Sequence, residues 1–179
     1  MAGKRTTLYI DYILTSISEN AEIIETLVSA APEDKVDIYL NSSGGDIAAA
    51  EAICAAITAS EAFVTVHLFG VCPSAATLIP LAVVAKDANT DNGCLVVHDS
   101  AKMLIHKVSL ECIEVPKAVE VCLEAANEQF LRKQYDLFLW PSEFDAIRLG
   151  GTIVLASEQI KDKIRNYEIN LEKNHNKNT

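Results

Sequence analysis

Val36-Asp37-Ile38-Tyr39-Leu40-Asn41-Ser42-Ser43-Gly44-Gly45-Asp46-Ile47 is the stretch that decides the fold. Five residues rich in β-formers run into a polar, glycine-paired turn, and an alanine-rich segment follows at once. This reads as strand, sharp turn and helix. Asp46 stands where a carboxylate suits the positive end of a helix, and Ile47, Ala50, Ile53, Cys54 and Ile57 recur at helical spacing.

The same grammar extends in both directions. Upstream, Thr6 to Ile13 reads as a strand, and Ser18 or Asn20 caps a helix whose apolar positions are Ile23, Ile24, Leu27, Val28 and Ala31, ended by Pro32. Downstream, Phe63 to Phe69 is a third strand. Gly70-Val71-Cys72-Pro73-Ser74 then turns the chain into an apolar helix from about Ala75 to Val84, and Lys86 to Gly93 reads as a polar loop. Cys94 to Val97 and Lys102 to His106 are short strands joined by His98-Asp99-Ser100-Ala101. A long helix from Val115 to Phe138 follows, with Pro116 in its first turn. Ser142 to Leu149 is a short helix stopped by Gly150-Gly151, Thr152 to Leu155 a last strand, and Ser157 opens a final helix. From about Asn166 the tail is polar and expected to be loose. Strands alternating with helices predict an α/β domain with a largely parallel sheet, spanning residues 1–165 without repeat or linker.

Composition removes whole classes of function. The chain has 179 residues, half of them apolar, enough for one substantial core. A net charge of −10 works against any partner bound by neutralising phosphates, so nucleic acid is not expected. Five widely spaced cysteines (54, 72, 94, 112 and 122) form no Cys-x-x-Cys pair and point to a reduced, cytoplasmic protein. The four histidines show no zinc spacing with them, and neither metal nor cofactor is expected. Met1 to Arg5 is basic, but no signal peptide follows. The most apolar run, Val71 to Ala85, is interrupted by two prolines and is shorter than the ~20 residues of a membrane span.

Two strand-turn-helix junctions can carry chemistry, because such turns gather at one edge of an α/β sheet and aim backbone N–H groups outward. They are Gly44-Gly45 and Pro73-Ser74-Ala75. A serine heading an apolar helix is either an N-cap or a hydroxyl presented to a cleft.

The Gly44-Gly45 block, Gly70-x-x-x-Ser74-Ala75-Ala76 and Met103-Leu104-Ile105-His106 together resemble the proteolytic subunit of the Clp protease, in the family's order, over roughly residues 5–165. The resemblance implies a spiral of ββα units, related to the crotonase fold, with a helical handle near residues 110–138. It implies Ser74 as nucleophile, His106 as general base, and the Gly45 and Ala75 N–H groups as oxyanion hole. It also implies seven-membered rings stacked through the handle, with Val119, Cys122, Leu123, Ala126 and Phe130 as an apolar stripe, and unfolded polypeptides as substrate. The residue types fit the chemistry. A serine hydroxyl attacks an amide only when an imidazole takes its proton, and preorganised N–H donors must hold the resulting oxyanion.

Three departures from the family pattern shape the expectation. Ser74 and His106 lie 32 residues apart, more than usual, and the excess is assigned to the loop Lys86 to Gly93; His98 is the rival base. The family's acidic third member falls on Gly150-Gly151-Thr152-Ile153-Val154-Leu155-Ala156-Ser157, which holds no carboxylate. Thr152 takes the position, and Asp145, Asp99 or Asp162 could substitute from elsewhere. A hydroxyl can orient an imidazole but stabilises an imidazolium less than a carboxylate does. Only Met1 to Arg5 precedes the first strand, which leaves an ATP-driven unfoldase partner open and suggests an accessory or phage-encoded member.

The leading expectation is therefore a Clp-type serine endopeptidase acting within an oligomeric chamber. A catalytically impaired ring subunit, and an acyl-CoA enzyme of crotonase type, are the alternatives. His67 reads as a half-buried strand histidine, His175 as a tail residue, Cys72 as an inert thiol and Lys86 as a weak dyad partner.

Overall fold

The computed structural model describes residues 3–107, 126 and 128–175. Strands β1 (Arg5–Ile10), β2 (Lys35–Leu40), β3 (Phe63–Leu68) and β5 (Gly93–Val97) form a parallel sheet in the order β1-β2-β3-β5. A second sheet joins β4 (Val71–Pro73), β6 (Lys102–His106) and β7 (Thr152–Ala156) in the order β4-β6-β7, the first pair parallel and the second antiparallel. Mixed α/β architecture is thus what the alternating pattern foretold.

Alternation builds the core. Leu8, Ile10, Val36, Ile38, Leu40, Val64, Val66 and Leu68 all point to one face of the parallel sheet and are buried. Helices α1 (Ala21–Ser29), α2 (Ile47–Ala59) and α3 (Leu78–Thr90) pack Leu27, Ile53, Ile57, Ile79 and Val83 into the same cluster. Each such side chain stabilises the fold by roughly 1.5–3 kcal/mol relative to exposure. Pro80 is tolerated in α3 because it lies in the first turn, where backbone N–H groups have no intrahelical acceptor.

The opposite face carries an aromatic ladder. Tyr9 stacks on Tyr39 with ring centres 5.5 Å apart, and Tyr39 stacks on His67 at 4.4 Å. Asp37 is buried beside them, held by Arg5 Nε at 2.6 Å and facing His67 Nε2 at 3.4 Å. The guanidinium holds the Asp37 carboxyl below the usual carboxylate range, with a smaller push from the imidazole.

Several expectations need correction. Val71–Pro73 is a strand rather than part of a turn, because pairing with β6 supplies what three residues cannot hold alone. The segment from Lys86 is not a loop. Helix α3 runs on to Thr90, since Lys86 buries its stem and donates to the Ser60 carbonyl at 2.5 Å. Asp91, in the left-handed region at φ 55°, ends the helix. The extra residues between Ser74 and His106 accordingly include a helical extension. From Asn166 to His175 the chain is not loose: helix α5 (Ser157–His175) continues through it, with Tyr167 set edge-on to Phe138 and Asn170 donating to the Leu137 carbonyl, while 176–179 lie outside the described residues. The long helix ends before Phe138, since 128–135 is helical and 136–138 turns. Most of the handle, including Val119, Cys122 and Leu123, lies outside the described residues; Ala126 is exposed and Phe130 half-buried. Helix α4 (Pro141–Arg148) precedes β7 as expected.

Among the described residues no helix is long and apolar enough to cross a membrane, and no cluster of three or more His, Cys, Asp or Glu could hold a metal ion.

Candidate active site

The glycine turn after β2 is pinned from three sides. Leu14 accepts from the Asp46 N–H and donates to the Gly44 carbonyl, each at 2.8 Å. Buried Ser42 donates to the Tyr12 carbonyl at 2.6 Å and accepts from the Gly44 N–H at 3.2 Å. Asn41 Oδ1 takes the Val71 N–H at 2.9 Å, tying this turn to the start of β4. Gly44 and Gly45 hold φ of 84° and 130°, and a Cβ at Gly45 would lie 2.1 Å from the Leu14 carbonyl oxygen. Only glycine meets both demands. Asp46 then caps α2, its carboxylate accepting the Ala49 N–H at 2.7 Å.

Ser74 follows β4 and opens a 3-10 turn, Ser74–Thr77, that leads directly into α3. Its φ is 55°, a conformation costing a residue with a side chain roughly 1–2 kcal/mol. The cap position of this turn is Pro73, so Ser74 lies one residue inside it. Two features thus set it apart from an N-cap serine: a sharp, strained turn and a place inside the turn rather than at its cap. Ala75 lies in the first turn, where N–H groups lack intrahelical acceptors.

His106 ends β6. Because β4 and β6 run parallel with Pro73 opposite Leu104, the ends of the two strands deliver Ser74 and His106 to the same side of the sheet. Met103 and Ile105 go into the core, leaving His106 on the alternate face. A pocket of about 90 Å³ is lined by Gly45, Ile47, Ser74, Ala75, His106, Phe130, Leu131 and Tyr135. The four residues marked for nucleophile, base and oxyanion hole are therefore brought together. Among the described residues no hydrogen bond joins the Ser74 hydroxyl to the His106 ring; such bonds often tighten only when substrate is present.

The imidazole is nevertheless oriented. His106 Nδ1 lies 2.5 Å from the Lys107 carbonyl oxygen, which can only accept, so Nδ1 carries the proton and Nε2 is the free base of the neutral ring. Thr152 stands directly opposite His106 in the β6–β7 ladder and is exposed. Asp99, Asp145 and Asp162 form ion pairs with Lys161, Arg148 and Arg165, at 3.3, 3.7 and 3.5 Å.

The rivals go elsewhere. His98 lies in the turn after β5 with its ring near His67 and Phe69, at 5.7 and 6.4 Å between centres. Lys86 is spent on Ser60. Cys72 is fully buried, and burial pushes its thiol well above the ordinary range; Cys54 is pushed up to about 12 for the same reason. His175 ends α5. Residues that sequence reading left out of the site also belong to it: Asn41 and Ser42, read only as part of the turn, lock the glycines, and Phe130, read as a handle-stripe residue, walls the pocket with Leu131 and Tyr135. The Leu131–Tyr135 spacing of four is a helical signal, but nothing local says what that face covers.

Comparison with known proteins fits this geometry. No curated protein sequence matches the chain. Among solved structures, a point mutant of ClpP1 from Listeria monocytogenes superposes with a TM-score of 0.63 at 19% identity, covering 88% of this chain and 86% of that one. The Clp protease family model matches residues 7–133, which hold the Gly44-Gly45 turn, Ser74 and His106. On that match, over well more than half its length, the chain belongs to the Clp protease family.

Proposed function

We propose that the chain is a serine endopeptidase of Clp type that hydrolyses unfolded polypeptides inside an assembly of its own copies. The observation that carries this reading is the meeting of Ser74, strained at φ 55°, with His106, Gly45 and Ala75 in one pocket. His106 Nε2 takes the Ser74 proton as Oγ attacks the scissile carbonyl, and the Gly45 and Ala75 N–H groups hold the oxyanion. The same imidazole then protonates the leaving amine, and water releases the acyl group. The Lys107 carbonyl keeps the ring in the working tautomer, a task a carboxylate performs in the familiar triad. Rings of seven, with an unfoldase feeding them, and a reducing cytoplasmic setting suited to the free thiols Cys54, Cys72 and Cys94 complete the reading.

A second reading, an impaired subunit that acts by assembly, is favoured by one fact: among the described residues, none of the eight lining the pocket is a carboxylate. Fluorophosphonate labelling beside Ser74→Ala and His106→Ala controls, with the assembly sized in parallel, separates the two. Labelling lost in both variants supports the peptidase. An assembled wild-type ring that takes no label overturns it in favour of the scaffold.

A further inference from the structure

Two buried hydroxyls run from the pocket wall to the nucleophile. Thr77 Oγ1 lies 2.6 Å from the Ser74 carbonyl oxygen and 2.5 Å from the Tyr135 hydroxyl. A carbonyl only accepts, so the single Thr77 proton is committed to Ser74 and Tyr135 must donate to Thr77. The relay has one direction: Tyr135 O–H to Thr77 Oγ1–H to Ser74 C=O. Thr77 is fully buried and Tyr135 is 3% exposed, so water does not compete for either bond. Burial also pushes the Tyr135 phenol upward, which keeps it protonated and a donor.

The two ends of the relay matter. At one end Ser74 holds a backbone conformation that its own residue type disfavours, and such a conformation persists only where its surroundings enforce it. At the other, Tyr135 belongs to the helical segment 128–135, whose Phe130 and Leu131 wall the same pocket. We propose that Thr77 and Tyr135 are positioning residues for the nucleophile, clamping the Ser74 peptide to the pocket wall so that the two keep one relative geometry. The proposal rests on reading Ser74 as the nucleophile.

The test measures the fluorophosphonate labelling rate and the melting temperature of wild type, Thr77→Val, Thr77→Ser and Tyr135→Phe. Thr77→Val and Tyr135→Phe are each expected to slow labelling on the order of tenfold, about the effect of one lost buried hydrogen bond. Thr77→Ser, which keeps donor and acceptor, should restore the rate. A variant combining Thr77→Val with Tyr135→Phe, measured beside them, should be little slower than either single one, because both break one relay. Folded Thr77→Val and Tyr135→Phe labelling at the wild-type rate would overturn the proposal and leave the peptidase reading intact, as would melting that falls while labelling holds. If Tyr135→Phe does not fold, the Thr77→Val and Thr77→Ser pair decides. A wild type that takes no label defeats the peptidase reading instead, and crystal structures then decide the relay. Ser74 leaving positive φ in Thr77→Val or Tyr135→Phe supports the clamp; an unchanged turn refutes it.

Discussion

Gly44→Ala should damage the site far more than the fold. At φ 84° an added side chain costs roughly 1–2 kcal/mol. The new Cβ would also lie 2.6 Å from the Pro73 carbonyl oxygen and 2.9 Å from Ser74 Cβ, where ordinary contact begins at 3.4 Å. The turn that carries Ser74 must therefore retreat by ~0.8 Å, and misplacement on that scale costs on the order of 10²-fold in rate. Gly150→Ala is the matched control, because its φ is 89° but no described atom lies within 4 Å of the added carbon. Both variants should melt a few degrees lower, ~4 °C for a chain of this size. Only Gly44→Ala should lose fluorophosphonate labelling, by roughly 100-fold. Equal labelling of the two variants would refute the claim that this glycine sets the position of Ser74.

Three other perturbations are informative. Asp37→Asn removes a buried carboxylate held by Arg5 and should cost on the order of 2 kcal/mol at neutral pH in urea titrations. The Asp37 carboxyl titrates lower when folded, so this stability is present above the unfolded value near ~4 and lost as pH falls through the folded one; the gap between wild type and variant should close in acid. Thr152→Ala should leave labelling within about threefold, since the His106 ring is held by the Lys107 carbonyl, whereas Thr152→Asp, across the ladder from His106, should raise the rate on the order of tenfold. Lys86→Met should lower stability by about 1 kcal/mol at pH 7 in urea titrations, because the buried Ser60 carbonyl loses its donor; an unchanged midpoint would remove this bond as the reason α3 runs on to Thr90.

Periodicity carried the parallel sheet and its covering helices, because strands buried against helices must repeat every second residue and helices every third or fourth. Resemblance picked out the four pocket residues, and the topology does bring Gly45, Ser74, Ala75 and His106 to one place. What escaped was decided by distant partners. Val71–Pro73 holds a glycine before it and a proline within it, so it looks like a turn until β6 is beside it. Lys86 to Thr90 is polar and looks like a loop until Ser60 offers its carbonyl. Tyr167 and Asn170 look like tail residues until Phe138 and Leu137 are in place. Thr77 and Tyr135 are 58 positions apart, and no local pattern joins them.

The parallel pairing of β4 with β6 also says which insertions and deletions a lineage of such chains can survive. Ser74 and His106 meet through the ladder, so the length of chain between them is free wherever it is absorbed in a helix, as the extension of α3 absorbs it here. Parity within β6 is not free. A single residue added or removed between Lys102 and His106 would turn the imidazole to the opposite side of the sheet, while two would restore its side but shift it along the strand by nearly 7 Å.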